Sequence, residues 1–144
     1  MTVAFDTNIL VYARREETAH HRQAKRLLAR YAEGDAPWAL PWPCVYEFLR
    51  VVTHPKVFHP PTPMSSALAD IKHLLLAPSL MVLTETDRHF GVLDSLALAV
   101  NVQGNIVHDA HIAALLLEHG VDEILTADDD FRRFPRLKVT NPFR

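Results

Sequence analysis

The chain has 144 residues, 49% of them hydrophobic, with 15 Lys and Arg against 17 Asp and Glu and a formal charge of -2. That length suits one domain, spanning 1–144, able to bury roughly 68–70% of its unfolded surface; the near-neutral charge excludes the broadly basic footprint of many nucleic-acid binders. Cys44 is the sole cysteine, which rules out an internal disulfide and a thiolate zinc cage.

Short apolar runs rich in β-branched residues alternate with helical periodicity along the whole chain. Strands are expected near Val3–Phe5, Trp38–Leu40, Leu80–Leu83, Glu123–Thr126 and Leu137–Thr140, with helices between them. The run Met1-Thr2-Val3-Ala4-Phe5-Asp6 has no basic leader and meets an acid early, so a cytoplasmic protein without a membrane span is expected. A first long helix is expected from about Thr18 to Ala32, with Ala24, Leu27, Leu28 and Tyr31 on one stripe and Gly34 as its stop signal. A second opens at Pro43, a residue suited to a first helical turn, and ends before Pro55. His59-Pro60-Pro61-Thr62-Pro63 reads as a stiff connector. Helices follow at about Ser65–Ala77, Asp87–Val102 and Asp109–Gly120. This βα alternation predicts an α/β fold with a parallel sheet covered on both faces.

Against that frame, four acids stand where elements begin or end: Asp6, Glu47, Asp109 and Asp128. Asp6 closes the first strand and Asp128 follows the fourth, so both belong at the carboxyl edge of the sheet, where open α/β folds bind ligands. Each also has an ordinary explanation. Asp6 before Thr7-Asn8 makes an Asx-turn, Asp109 occupies an expected N-cap, and Asp128 lies in the turn Asp128-Asp129-Asp130. Glu47 flanks the apolar stripe Val45, Phe48, Leu49 and Val52, where an acid is partly desolvated and calls for a cation. Together the four offer hard oxygen ligands, which favour Mg²⁺, with Mn²⁺ as substitute, over Zn²⁺. His20 and His21 are adjacent and read as surface residues; His108 and His111 bracket Asp109 and are candidates for the rim of a site.

The segments FDTNIL from Phe5, VYEFLRVVTHP from Val45, HDAHIAAL from His108 and TADDDF from Thr126, in that order and at those intervals, resemble the PIN-domain family, and within it the single-domain VapC ribonuclease toxins. The resemblance covers nearly the whole chain. It implies a three-layer α/β/α fold with a five-stranded, mainly parallel sheet of order 3-2-1-4-5. It places Asp6, Glu47, Asp109 and Asp128 on the family's acidic metal positions, Thr126 on its hydroxyl position and Asp130 on a further acid, with Asn8 beside them. It also implies a Mg²⁺- or Mn²⁺-dependent endoribonuclease acting through water, a cognate VapB-type antitoxin, a homodimer and higher assemblies with the antitoxin. The alternative is a non-catalytic RNA-binding or antitoxin-binding PIN module.

RNA contacts are sought among the basic residues Arg14, Arg15, Arg22, Lys25, Arg26 and Arg50, although a solvated helix face explains such a run equally well. A second cluster comprises Arg88, Arg132, Arg133 and Arg136. Leu74-Leu75-Leu76 and Leu96-Ala97-Leu98-Ala99-Val100 exceed what one core face needs, leaving apolar surface for an interface. A haloacid-dehalogenase-like phosphatase would need a second acid where Asn8 stands. A receiver domain would need paired acids at the first strand.

Overall fold

A computed structural model describes residues 2–144. Five strands, β1 (Val3–Phe5), β2 (Trp38–Pro41), β3 (Leu80–Leu83), β4 (Glu123–Leu125) and β5 (Lys138–Thr140), form one sheet. Its order is β3-β2-β1-β4-β5, and all four pairings are parallel. The expected order therefore holds, and "mainly parallel" sharpens to wholly parallel. Because the chain steps from β1 outward through β2 and β3, then returns beside β1 with β4, the carboxyl ends of β1 and β4 flank the switch point.

The helices are α1 (Thr7–Arg14), α2 (His21–Glu33), α3 (Trp42–Val52), α4 (Met64–Leu75), α5 (His89–Val100) and α6 (Ile106–Glu118), with a 3₁₀ turn at Asp130–Arg133. Three expectations need correction. The expected helix from Thr18 starts instead at His21, and a separate helix, α1, follows β1 directly; its cap is Asp6, whose carboxylate accepts a hydrogen bond from the Thr7 amide at 2.8 Å. Asp109 is not an N-cap: α6 starts three residues earlier, because Ile106 and Val107 extend the helical pattern behind the Gly104-Asn105 turn. The third helix opens at Trp42, with Pro43 one position inside.

The core packs both faces of the sheet. Ala4, Phe5, Trp38, Ala39, Leu40 and Ile124 are fully buried in its strands, giving the continuous apolar runs that a doubly covered parallel sheet demands. Phe5 stands edge-on to Tyr31 at 5.1 Å and against Trp38 at 5.0 Å, which ties α2 to the central strands. The buried Trp38 indole donates to Ser79 Oγ at 3.1 Å, and Ser79 donates on to the Tyr31 carbonyl, so its polar edge is satisfied. α6 contributes Ala113, Ala114, Leu115 and Leu116, all fully buried. Just past its end at Glu118, Gly120 has a φ of +73° that lets the Val121 and Gly120 amides reach back to Leu116 and Leu117, the pairing that closes a helix with a left-handed residue. No helix among the described residues is long and apolar enough to cross a membrane.

Candidate metal centre

The carboxyl ends of β1 and β4 carry the groups that the chain spaces 120 residues apart. Asp6 is 7% exposed; its Oδ2 accepts a hydrogen bond from the Thr126 hydroxyl at 2.8 Å and its Oδ1 accepts the Thr7 amide. Asn8, the second residue of α1, links the two sides. Its amide nitrogen donates to Thr126 Oγ1 at 3.0 Å and Asp128 Oδ2 at 3.3 Å, and its oxygen accepts the Ala127 amide. The Thr126 hydroxyl, fully buried, also accepts the Asp128 amide, and Asp128 Oδ1 accepts the Asp130 amide. Thr126 and Asn8 thus fix the side chains of Asp6 and Asp128 relative to each other.

The electrostatics follow from this crowding. Burial pushes the Asp6 carboxyl up to about 6, against the hydrogen bonds from Thr126 and Thr7, with the charges of Asp128 and Asp109 adding to the rise. Asp109 and Asp128 are also raised, each chiefly by desolvation, with further repulsion from Asp130. Asp6, buried at the end of β1 and repelled in smaller part by Asp128 and Asp109, therefore shares one field with them and is costly to ionise. Buried beside them, the Cys44 thiol is pushed far above its ordinary range by desolvation and by Asp6, and its Sγ points to Asp6 Oδ1 at 3.9 Å. It is an inert packing group and not a ligand.

Glu47 departs from its expected environment. Its side chain is 46% exposed and holds Arg50 through two contacts, of which the shorter is 2.5 Å; the cation it calls for is the guanidinium one helical turn on. Its link to the aspartates runs through Cys44, whose thiol feels both Asp6 and Glu47. The structure brings Asp6, Asn8, Thr126, Asp128 and Asp130 into one hydrogen-bonded set, adds Asp109 by charge, and leaves Glu47 at the border.

A family model described as PIN domain matches residues 3–137. The chain belongs to the PIN-domain family. It is similar to VapC ribonuclease Mb2897 of Mycobacterium bovis, 40% identical over 137 residues that cover 95% of this chain and 92% of that one. Ribonuclease VapC48 of Mycobacterium tuberculosis is 34% identical over 143 residues, 99% of each chain. In fold it matches VapBC2 from Rickettsia felis, solved bound to a promoter DNA fragment, with a TM-score of 0.67, 19% identity and 98% of each chain covered.

Of the basic candidates in this PIN domain, three are already engaged. Arg14 lies 2.8 Å from Asp70, Arg50 holds Glu47, and Arg15 is clamped into the proline-rich connector. The Arg15 guanidinium donates to Thr62 Oγ1 and the Pro60 carbonyl, pairs with Glu17, and covers the Phe58 ring at 4.4 Å. Arg22, Lys25 and Arg26 are exposed on α2 and line a cavity of about 600 Å³ with Glu16 and His21. Arg15→Ala is therefore expected to lower stability by about 1–3 kcal/mol, since it strips hydrogen bonds from a half-buried charged clamp; thermal melts of the variant beside the wild type check this.

The sequence reading passed over Glu85, His89 and Glu118. Glu118, at the end of α6, is 2% exposed; it accepts hydrogen bonds from the Thr86 amide and hydroxyl and from His89 Nδ1. On the same side His111 Nε2 meets Glu85 Oε1 at 2.6 Å. Nothing in the spacing announces this cluster: α5 and α6 are antiparallel neighbours in space, and only their packing sets His89 beside His111.

Proposed function

We propose that this PIN-domain protein is a divalent-metal-dependent endoribonuclease and the toxin member of a VapBC-type toxin–antitoxin pair. The observation that carries the reading is Asp6, buried and driven up in pKa, tied through Thr126 and Asn8 to Asp128, with Asp109 adding its charge. A buried carboxylate facing two others is stabilised in its charged form by a cation. The donors are all oxygen, which suits Mg²⁺ or Mn²⁺. Asp6, Asp109 and Asp128 would hold the ion, with Glu47 as a fourth acid once Arg50 releases it. Such an ion supplies Lewis acidity toward a phosphate oxygen and an attacking water.

The protein's own groups do the rest. Thr126 and Asn8 hold Asp6 and Asp128 in place, so the carboxylates require little reorganisation, a preorganisation that favours catalysis. One of the carboxylates of the centre accepts the proton that the attacking water releases. Attack by water and not by the ribose 2′-hydroxyl leaves a 5′-phosphate on the downstream fragment.

End-mapped cleavage of cellular RNA by the purified protein, with Mg²⁺, Mn²⁺ or EDTA, tests this reading. Discrete metal-dependent cuts bearing 5′-phosphates are the expected result. A folded, antitoxin-free protein that cuts under none of these conditions would favour the non-catalytic module.

The relatives' names and the VapBC complex of like fold support a VapB-type partner and an RNA substrate. A homodimer is supported by α5, which is strongly apolar yet buries only Leu96, leaving Phe90 and Leu98 75% and 79% exposed. Large apolar side chains left in solvent on one helix suit an interface. Leu98→Asp is expected to shift the protein to monomers, read by sedimentation or light scattering, while its melting temperature at low concentration changes by no more than a few degrees.

A further inference from the structure

We infer that the PIN domain carries a second divalent-cation site, separate from the aspartate centre, in which Glu85, His89 and His111 bind a zinc-like ion. A carboxylate oxygen of Glu85 and one ring nitrogen from each histidine lie within 4.8 Å of one another, the only such three-ligand grouping among the described residues. Two imidazoles and a carboxylate form a borderline-soft donor set that suits Zn²⁺ with a fourth, open position for water. The aspartates at the switch point, all oxygen, form the opposite kind of set.

The surroundings are those of a built site. His89 Nδ1 is bonded to the buried Glu118 carboxylate at 2.5 Å, which leaves its Nε2 as the nitrogen with a lone pair to offer. Glu118 is itself fixed by the amide and hydroxyl of Thr86. A carboxylate behind a histidine, orienting the ring and raising its basicity, is the usual outer support of a metal-binding imidazole. The His89 and His111 rings lie 5.4 Å apart at 73°, so they meet edge to face and not in a stack.

Access is available from solvent. Glu85 is 51% and His111 35% exposed, and both line a cavity of about 530 Å³ that Trp42, Tyr46, Glu47 and Arg50 complete. An ion here would tie the β3–α5 loop to α6, the helix that carries Asp109, and so stiffen the mount of one catalytic acid without touching it. The site does not depend on ribonuclease activity, because its test reads metal binding.

The test uses the chelator-stripped full chain titrated with Co²⁺ as a spectroscopic probe, then with Zn²⁺ and Mg²⁺ as competitors. One equivalent of Co²⁺ should give the intense visible band of tetrahedral coordination in the wild type and equally in Asp6→Asn. Zn²⁺ should abolish the band and Mg²⁺ should leave it. His89→Ala and His111→Ala should lose it. Glu85→Gln, altered at an exposed position that keeps the fold, should weaken binding at least tenfold, and Glu118→Gln by about 10–100-fold through the oriented imidazole. Circular dichroism establishes that each variant is folded. Absence of the band in folded wild type, its survival in Glu85→Gln and His111→Ala at wild-type affinity, or its loss in Asp6→Asn alone would each overturn the site; in those cases the cluster is an ion-pair network.

Discussion

Asp6→Asn is expected to abolish metal-dependent RNA cleavage, by at least about 100-fold, while raising the stability of the metal-free protein. The two effects have one cause. Asp6 is the most buried of the four candidate metal-binding acids and sits where β1 ends, so among them it has the least solvent to share its charge. The position suits a group that a cation will neutralise, and without the cation it is costly. Asparagine keeps the shape, but its single oxygen can replace only one of the two that accept from the Thr126 hydroxyl and the Thr7 amide, and it carries no charge to bind an ion. Losing one ligand of a metal centre removes several kcal/mol of transition-state stabilisation. In the opposite direction, the neutral side chain escapes the desolvation that raises Asp6, a relief of about 1–3 kcal/mol at neutral pH. Chemical denaturation in EDTA beside a cleavage assay in Mg²⁺ separates the two effects. Cleavage at wild-type rate would remove Asp6 from the centre, and lower metal-free stability would show that its charge is not a burden on the fold.

The metal-free protein is also expected to lose stability as pH rises from about 4 to about 6, relative to Asp6→Asn. The Asp6 carboxyl titrates at about 6 in the fold and near its ordinary value of 3.8 when unfolded. Within that window the folded chain keeps a proton that the unfolded chain has released, so the unfolded state binds fewer protons and unfolding becomes easier with each step up in pH. The full effect, reached above pH 6, is about 3 kcal/mol by the linkage between pKa and stability. Asp109 and Asp128, both raised, act in the same direction. Subtracting the pH profile of Asp6→Asn isolates the Asp6 contribution from that of acids elsewhere whose pKa values are lowered. Saturating Mg²⁺ or Mn²⁺ should reverse the loss at neutral pH, because an ion that binds only the folded chain stabilises it by mass action, about 2.7 kcal/mol at one hundred times Kd. A difference profile that is flat from pH 4 to pH 7, or a melting temperature indifferent to either ion, would show that the aspartates do not share one field.

Much of this protein was legible in its linear order. Alternating β-branched runs and helical stripes predict a parallel sheet because strands buried on both faces have little choice but continuous apolar sequence, and β1, β2 and β3 lie where those runs do. The acids at the ends of β1 and β4 were legible for a related reason: a polar residue that abruptly ends a buried strand marks the rim of the sheet. The sequence motifs also fixed the sheet order through family resemblance, which no local pattern contains.

What the tertiary structure decided is where local signals compete or where partners are distant. Asp109 looked like an N-cap, but Ile106 packs against the core and the helix starts there, three residues earlier. Glu47 looked desolvated because its neighbours are apolar, yet a helix turns each residue by about 100°, and Glu47 faces Arg50 and solvent. Arg15, read as a contact for RNA, is held by a proline-rich segment more than forty residues away. The Glu85–His89–His111 cluster had no linear signature at all: its three donors come from a loop and two helices, and only the packing of α5 against α6 brings them together. Sequence determines which residues must be buried and which must end an element; the direction of a half-exposed side chain, and the company it keeps, is decided by which elements pack.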